Sequence, residues 1–399
     1  MKYKTSTLGE IADVQTGPFG SQLHNEDYVE SGTPIVTVEH LGKRRFTTQN
    51  LPFVNDEDKE RLSKYTMKKG DIIFSRVGSI DRCSFVTSET DGWLFSGRCL
   101  RVRASSEIDP KWLYYFFCME STKRFIKSIA VGATMPSINT KLLSEVPIKY
   151  PEDIRVQEES ANVLSLIDDI IEANEDATNN IMQQAMAIYR KKFVEHENSQ
   201  RKVCKAEDYF DISIGKTPPR KEFQWFSSNK EDMTWVSISD MGDCGLFIDD
   251  SSEYLTREAI EKHNIKIVPD NTVLLSFKLT VGRIAITNGE MTTNEAIAHF
   301  KTDNDLIVEY LYCYLKNFNY QTLGSTSSIA QAVNSKMIKA MPIIIPEGKE
   351  LDEFHNITSS MFAEIKSLQE ESKKLKELRD TLLPKLISGE LIASELNIQ

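Results

Sequence analysis

"SINTKLLSEVPIKYP" (137–151) and "AVNSKMIKAMPIIIP" (332–346) are one phrase written twice. Asn139 aligns with Asn334, Lys141 with Lys336, Pro147 with Pro342 and Pro151 with Pro346, all 195 residues apart. The match extends in both directions. "IADVQTG" (11–17) parallels "YFDISIG" (209–215), and "PIVTVEHLG" (34–42) parallels "TWVSISDMG" (234–242). "KGDIIFS" (69–75) parallels "DNTVLLS" (270–276), each soon followed by Val-Gly, and "WLYYFF" (112–117) parallels "YLYCYL" (310–315). Alternating Val, Ile, Thr and Trp predict strands, through residue 41 in the second pair, and the aromatic runs predict buried helices. A period near 200 residues is too long for a solenoid. It predicts two copies of one domain, in a chain of 399 residues that is itself too long for one ordinary core.

Each copy leads into a long helical pattern. Over 155–193 the apolar stripe runs Val163, Ile167, Ile170, Asn174, Ala177, Ile181, Gln184, Ile188, alternating steps of four and three. Over 351–383 it runs Leu351, Phe354, Ile357, Met361, Ile365, Leu368, Ser372, Leu375, Leu382. That heptad spacing predicts that the two helices pair with each other, Asn174 fixing their register. The alternative is that each helix packs on its own globular domain. The expected architecture is therefore two pseudo-symmetric α/β (α+β) domains separated by two long helices in an antiparallel coiled coil. Its boundaries are 1–152, 153–196, 197–347 and 348–399. Two similar domains joined by such a spacer suit a long, periodic ligand.

The net charge is −11, unevenly spread. Residues 1–150 carry 21 Lys and Arg against 18 Asp and Glu, whereas 151–200 carry 4 against 11. A polyanion could meet patches of the domains but hardly the first spacer helix. The six cysteines form no C-x-x-C pair, and the N-terminus has no apolar leader. Neither a zinc site nor a disulfide framework is expected, and a reducing cytoplasm is.

Catalytic motifs are missing. "GKTP" (215–218) resembles the end of a phosphate loop, but Phe210 stands where that loop needs glycine. There is no G-x-G-x-x-G after a strand and no Asn/Asp-Pro-Pro-aromatic segment of the DNA amino-methyltransferase type; "TPPR" (217–220) lacks the aromatic. "PD" (269–270) and "EGK" (347–349) are too far apart to read as a nuclease motif, and the six histidines show no ligand spacing. No catalytic or metal residue is expected.

Three loops in each copy are candidates for reading a ligand. The first, "QTGPFGSQLHNED" (15–27) and "IGKTPPRKEFQWF" (214–226), offers Gln22, Lys216, Arg220 and Lys221. The second, "GKRRFTTQN" (42–50), offers Lys43, Arg44 and Arg45, while its counterpart "GDCGLFIDD" (242–250) is acidic. The third, "VGATMPSIN" (131–139) and "GSTSSIAQAVN" (324–334), offers Ser137, Asn139, Gln331 and Asn334. Arg76, Arg82, Arg98, Lys278 and Arg283 are further cations. Arginine reads the guanine edge bidentately, and small hydroxyl and amide groups reach phosphates.

These residues carry a resemblance. "GKTPPRKEFQWF…MTWVSISDMG" (215–242), the paired exit phrases and the closing "LRDTLLPKLISGEL" (378–391) make the chain similar, over nearly its whole length, to the specificity subunits of type I DNA restriction-modification systems. The resemblance implies a non-catalytic subunit whose two domains each read half of a split, asymmetric DNA target. It implies that the helices set the gap and dock two methyltransferase subunits, and that two motor-nuclease subunits can join. S-adenosylmethionine, Mg and ATP would then belong to the partners, with no cofactor in this chain. A related system with nuclease and methyltransferase fused in one partner remains open. So do a standalone DNA methyltransferase or nuclease, and a coiled-coil adaptor without a DNA role.

Overall fold

The computed structural model describes residues 2–18, 20, 22–132, 134–195, 201–323 and 333–393. It divides into two units. The first comprises Met1–Glu172 with Lys374–Gln399, and the second is Ala173–Lys373. Each unit thus holds one globular copy and part of both long helices.

The exit phrase closes its own domain. In the first unit Pro147–Pro151 pairs antiparallel with the entry strand Tyr3–Thr7, Tyr3 facing Pro151 and Thr7 facing Pro147. In the second, Pro342–Ile345 pairs with Lys202–Lys205, Lys205 facing Pro342. Both ribbons have two strands, so a proline without an N–H costs no central ladder bond.

The sheets repeat as well. The first unit has strands in the order Ala12–Thr16, Cys99–Ala104, Ile72–Ser75, Cys83–Phe85. The second has Asp211–Ile214, Ile297–Lys301, Val273–Ser276, Ile284–Thr287, with Phe247–Ile248 added in parallel at the edge. A smaller sheet follows in each, and in each its last pair is parallel: Ile35 and Val36 on Leu94 and Phe95, Trp235 and Val236 on Thr292 and Thr293. The strand expected to run through residue 41 stops at Val36, and its partner at Val236. A side chain three residues on turns the backbone: Thr37 N–H donates to His40 Nδ1 (3.0 Å), and Ser237 N–H to Asp240 Oδ2 (2.8 Å).

The aromatic runs form the helices Pro110–Cys118 and Val308–Asn317, buried along most of their length. Pro110 sits at the first turn, where no N–H is needed, and Asp109 caps the Trp112 N–H at 2.8 Å. Phe117 meets Phe74 edge-to-face at 4.7 Å in the first core. Tyr189, Phe193, Tyr310 and Phe354 cluster in the second.

The long helices are Ile154–Tyr189 and Gly348–Ser388, and within each unit their segments run antiparallel. In the second unit Phe193 packs on Phe354 at one end, and Asn174 Nδ2 donates to Glu371 Oε2 (2.7 Å) at the other. In the first, Ala161 and Leu164 share a core with Leu383, Leu386 and the Pro110–Cys118 helix. Helix pairing and packing on the domain therefore coexist.

The seam lies only partly where apolar spacing puts it. Ile167, Asn174, Phe354 and Ile365 are buried, and Val163, Ile181, Met361, Leu368 and Leu375 are half-buried, but Ile170 and Ile357 are exposed. The buried stripe runs one residue over, through Gln157, Ala161, Leu164, Asp168 and Ile171 on one helix, and through Thr358 on the other. Asp168 accepts from Tyr115 Oη (2.7 Å) and Arg379 Nη1 (2.8 Å). Gln157 donates to Pro151 O and accepts from Asp109 N–H, both at 2.8 Å. Polar groups satisfied in this way can occupy a core position that hydropathy assigns to solvent.

Candidate nucleic-acid interface

In the first unit three segments converge beyond the ends of the central strands. Arg76 follows strand Ile72–Ser75, Gly97 and Arg98 precede strand Cys99–Ala104, and 136–139 folds back over both. Backbone bonds lace them. Arg76 N–H donates to Arg98 O (2.8 Å), Ile138 N–H to Arg76 O (2.9 Å) and Gly78 N–H to Pro136 O (2.8 Å), while Val131 and Ser137 exchange a pair. They enclose a cavity of about 320 Å³ lined in part by Arg76, Arg98, Ser137 and Asn139. Arg76 is oriented by Thr16 Oγ1 (3.3 Å) and Gly97 O (3.4 Å), and Arg98 is exposed. Two guanidinium groups beside a half-open cavity suit a phosphate or a guanine edge.

Several expected readers also hold the fold. Asn139 Oδ1 caps the Leu142 N–H (2.9 Å), and Asn334 Oδ1 caps those of Lys336 and Met337 (3.0 and 3.1 Å). The repeated asparagine is thus a helix cap before it is anything else. Ser137 Oγ donates to Val131 O (3.2 Å), and Gln22 Oε1 accepts from Tyr65 Oη (2.6 Å).

The Lys43–Arg45 loop departs furthest from expectation. Arg44 is only 13 % exposed and lies along the first long helix. It donates to Glu172 through Nε (2.8 Å) and Nη2 (2.5 Å), to Ser165 Oγ (3.2 Å) and to Asp169. Arg45 Nε also reaches Glu172 (2.6 Å). Burial opposes the Arg44 charge, but its carboxylate partners raise its pKa above the ordinary arginine value. Arg44 is spent on the acidic helix rather than offered to a ligand, whereas Arg45 is 42% exposed.

In the second unit the corresponding region has a different character. Lys216 Nζ donates to His263 O (2.6 Å). Arg220 lies over the rings of Phe226 and Trp235 at 4.4 and 4.6 Å and pairs with Glu253 (2.7 Å). Arg283 is turned inward to Ile238 O. Lys221 and Lys278 are exposed, and Gln331 lies outside the described residues. The residue that sequence reading missed is Glu295. Burial works against its charge, yet the Thr217 hydroxyl it accepts from, with Lys278 and Arg220 nearby, lowers its pKa and keeps it ionised. Strand pairing aligns it with Gly97: Cys99 faces Ser75 as Ile297 faces Ser276. The signal available was the close-packed glycine at each site. A Cβ on Gly17 would strike Ser96 O, and one on Gly215 would strike Asn294 O.

Among the described residues, no cluster of His, Cys, Asp or Glu is placed to hold a metal, and no helix is long and apolar enough to cross a membrane.

Known proteins share this organisation. The family model for the type I restriction modification DNA specificity domain matches twice, over residues 1–183 and 198–378. The chain is 27% identical over 315 residues to the type I restriction enzyme MjaIX specificity subunit of Methanocaldococcus jannaschii, covering 72% of this chain and 70% of that one. It is 23% identical to the HindI specificity subunit of Haemophilus influenzae, covering 84% and 90%. The fold is similar to the crystal structure of a type I S subunit from M. genitalium, with a TM-score of 0.60 at 16% identity and 96% of each chain covered.

Proposed function

Since this chain belongs to the type I restriction-modification DNA specificity family and is a DNA sequence-recognition subunit of such a system, we propose that each unit reads one half of a bipartite, asymmetric target. One observation carries this reading. The same strand ends present Arg76 and Arg98 around a cavity in one unit, and Glu295 among Lys278 and Arg220 in the other. Arginine suits guanine, whereas a carboxylate accepts from the cytosine amino group and repels phosphate. One scaffold with two edge chemistries reads two sequences.

The long helices then set the gap between half-sites, in steps of the DNA turn of roughly 34–36 Å. Two methyltransferase subunits dock on the helices, where Leu166 and Ile170 leave an apolar edge one turn apart on the outer face. Methyl transfer and cleavage belong to the partners, with two motor-nuclease subunits completing the restriction complex. S-adenosylmethionine, Mg and ATP are bound there. A partner that fuses nuclease and methyltransferase would use the same chain in the same way. The natural compartment is the cytoplasm, where the DNA is.

Exchanging residues 1–152 for the matching domain of a relative tests the division of labour. Methylated adenines mapped genome-wide should show one half-site changed and the other kept, at an unaltered gap. An unchanged pattern removes the first unit from recognition.

A further inference from the structure

The loop after the central strand has the same length and closure in both units. Ser75 N–H donates to Arg82 O (3.0 Å), and Ser276 N–H donates to Arg283 O (2.9 Å). Three residues after each serine the backbone is left-handed, at Gly78 (φ 74°) and at Leu279 (φ 59°). Glycine adopts that conformation without penalty and a branched side chain does not. Among the described residues, the other non-glycine positions with positive φ are all asparagine, which tolerates it.

Leu279 is not rewarded by burial, since it is 98 % exposed. The loop beneath it is fastened. Ser276 Oγ accepts from Arg283 N–H (3.0 Å) and donates to Thr280 O (2.6 Å), and Gly282 N–H donates to Ser276 O (3.0 Å). A disfavoured residue held out into solvent on a rigid loop points to a function for its side chain. The surroundings narrow the function. Lys278 and Thr280 flank it, both exposed, and Phe277 N–H donates to Ala296 O (2.9 Å), the neighbour of Glu295, so the tip belongs to the proposed reading face of the second unit. The lysine can hold a phosphate while the leucine enters the groove. The apolar group that duplex DNA displays on its major-groove edges is the thymine C5-methyl.

We propose that Leu279 reads a thymine methyl in the half-site of the second unit, a contact the first unit, with Gly78, does not make. The proposal rests on the reading of the second unit as a DNA reader. Its test uses the complex purified through the full-length chain and duplexes selected from a random library. Thymines are replaced singly by deoxyuridine in the half-site that survives exchange of 1–152. One replacement should weaken binding about fourfold, the worth of one buried methyl. Leu279→Gly, which keeps the left-handed backbone, should bind the two duplexes equally, and Leu279→Asn should do the same. Sensitivities in the other half-site should stay as they were. Undiminished discrimination by both variants, or no sensitive thymine in that half-site, overturns the assignment while leaving DNA reading intact. Uniform weakening on every duplex, with loss of enhanced 2-aminopurine emission at one step, would make Leu279 a wedge and also overturn it. Failure to select any sequence would overturn DNA reading, and this contact with it.

Discussion

The loop at 42–50 and its counterpart at 242–250 occupy the same place in two copies of one fold, yet one is basic and the other acidic. Each faces the long helix that follows its own domain, and the charges are exchanged. In the first unit Arg44 and Arg45 meet Asp169 and Glu172 on the first long helix. In the second, Asp249 and Asp250 meet Lys373 on the second long helix at 2.8 and 3.5 Å, and Phe247 N–H donates to Gln369 Oε1 (3.1 Å). The contrast teaches that charge in this loop is matched to the helix it faces. Arginines beside an aromatic are a credible DNA contact in sequence, but here they complete an intramolecular dock.

The two docks differ in burial, which ranks their expected effects. Glu172→Ala should be the largest. It leaves Arg44 enclosed without its main partner, costing the first unit about 3 kcal/mol in urea unfolding, and Arg44→Glu with Glu172→Arg should recover part of that. A loss below about 0.5 kcal/mol would return these arginines to the list of candidate DNA contacts.

Next comes a difference in titration. His299 is buried between Ser213 Oγ (3.0 Å) and Thr293 Oγ1 (2.7 Å), and burial lowers its pKa from 6.5 to about 3. Between those values the unfolded imidazole takes up a proton that the folded one refuses. Stability of the second unit should therefore fall as pH drops from about 6.5 toward 3, by up to about 1.4 kcal/mol per unit. The aligned residue in the first unit is Arg101, facing Ile73 as His299 faces Leu274, so the first unit has no imidazole at this place. Amide exchange in strand Ile297–Lys301 against Cys99–Ala104 measures the difference, and His299→Gln should remove it.

A third effect separates the reading faces. Arg98→Ala should weaken target binding by about 1–3 kcal/mol through the first half-site alone, and Glu295→Gln should relax specificity only in the second. Competition with duplexes mutated in one half-site at a time distinguishes them. The smallest effect belongs to the exposed dock. Lys373 and Asp249 are 39% and 37% exposed, and Lys373→Ala should cost less than about 0.5 kcal/mol, screened further by salt.

Much of the fold was legible because its signals are local. The paired exit phrases and the buried aromatic helices are set by residue type and spacing over a few positions. The helix seam was partly displaced, by one residue, because Asp168, Gln157 and Thr358 are polar yet buried, and the groups that satisfy them come from elsewhere in the chain. The candidate site divided in the same way. Arg76, Arg98 and Ser137 are legible as single residues, but only the backbone lacing of 76–78 with 136–138 gathers them around one cavity. Glu295 escaped notice because a lone carboxylate has no pattern until Thr217, Lys278 and Arg220 surround it.

The sequence by itself determined that there are two copies of one domain, where several of their strands and their buried aromatic helices lie, and that a long helix with heptad spacing follows each copy. Hydropathy and turn chemistry act along the chain, so they can be read from it. Only the tertiary structure decided which charges are available. An arginine near a carboxylate 128 residues away is a strut, and the same arginine facing solvent is a reader. That difference is one of distance and burial in three dimensions, which no spacing along the chain encodes.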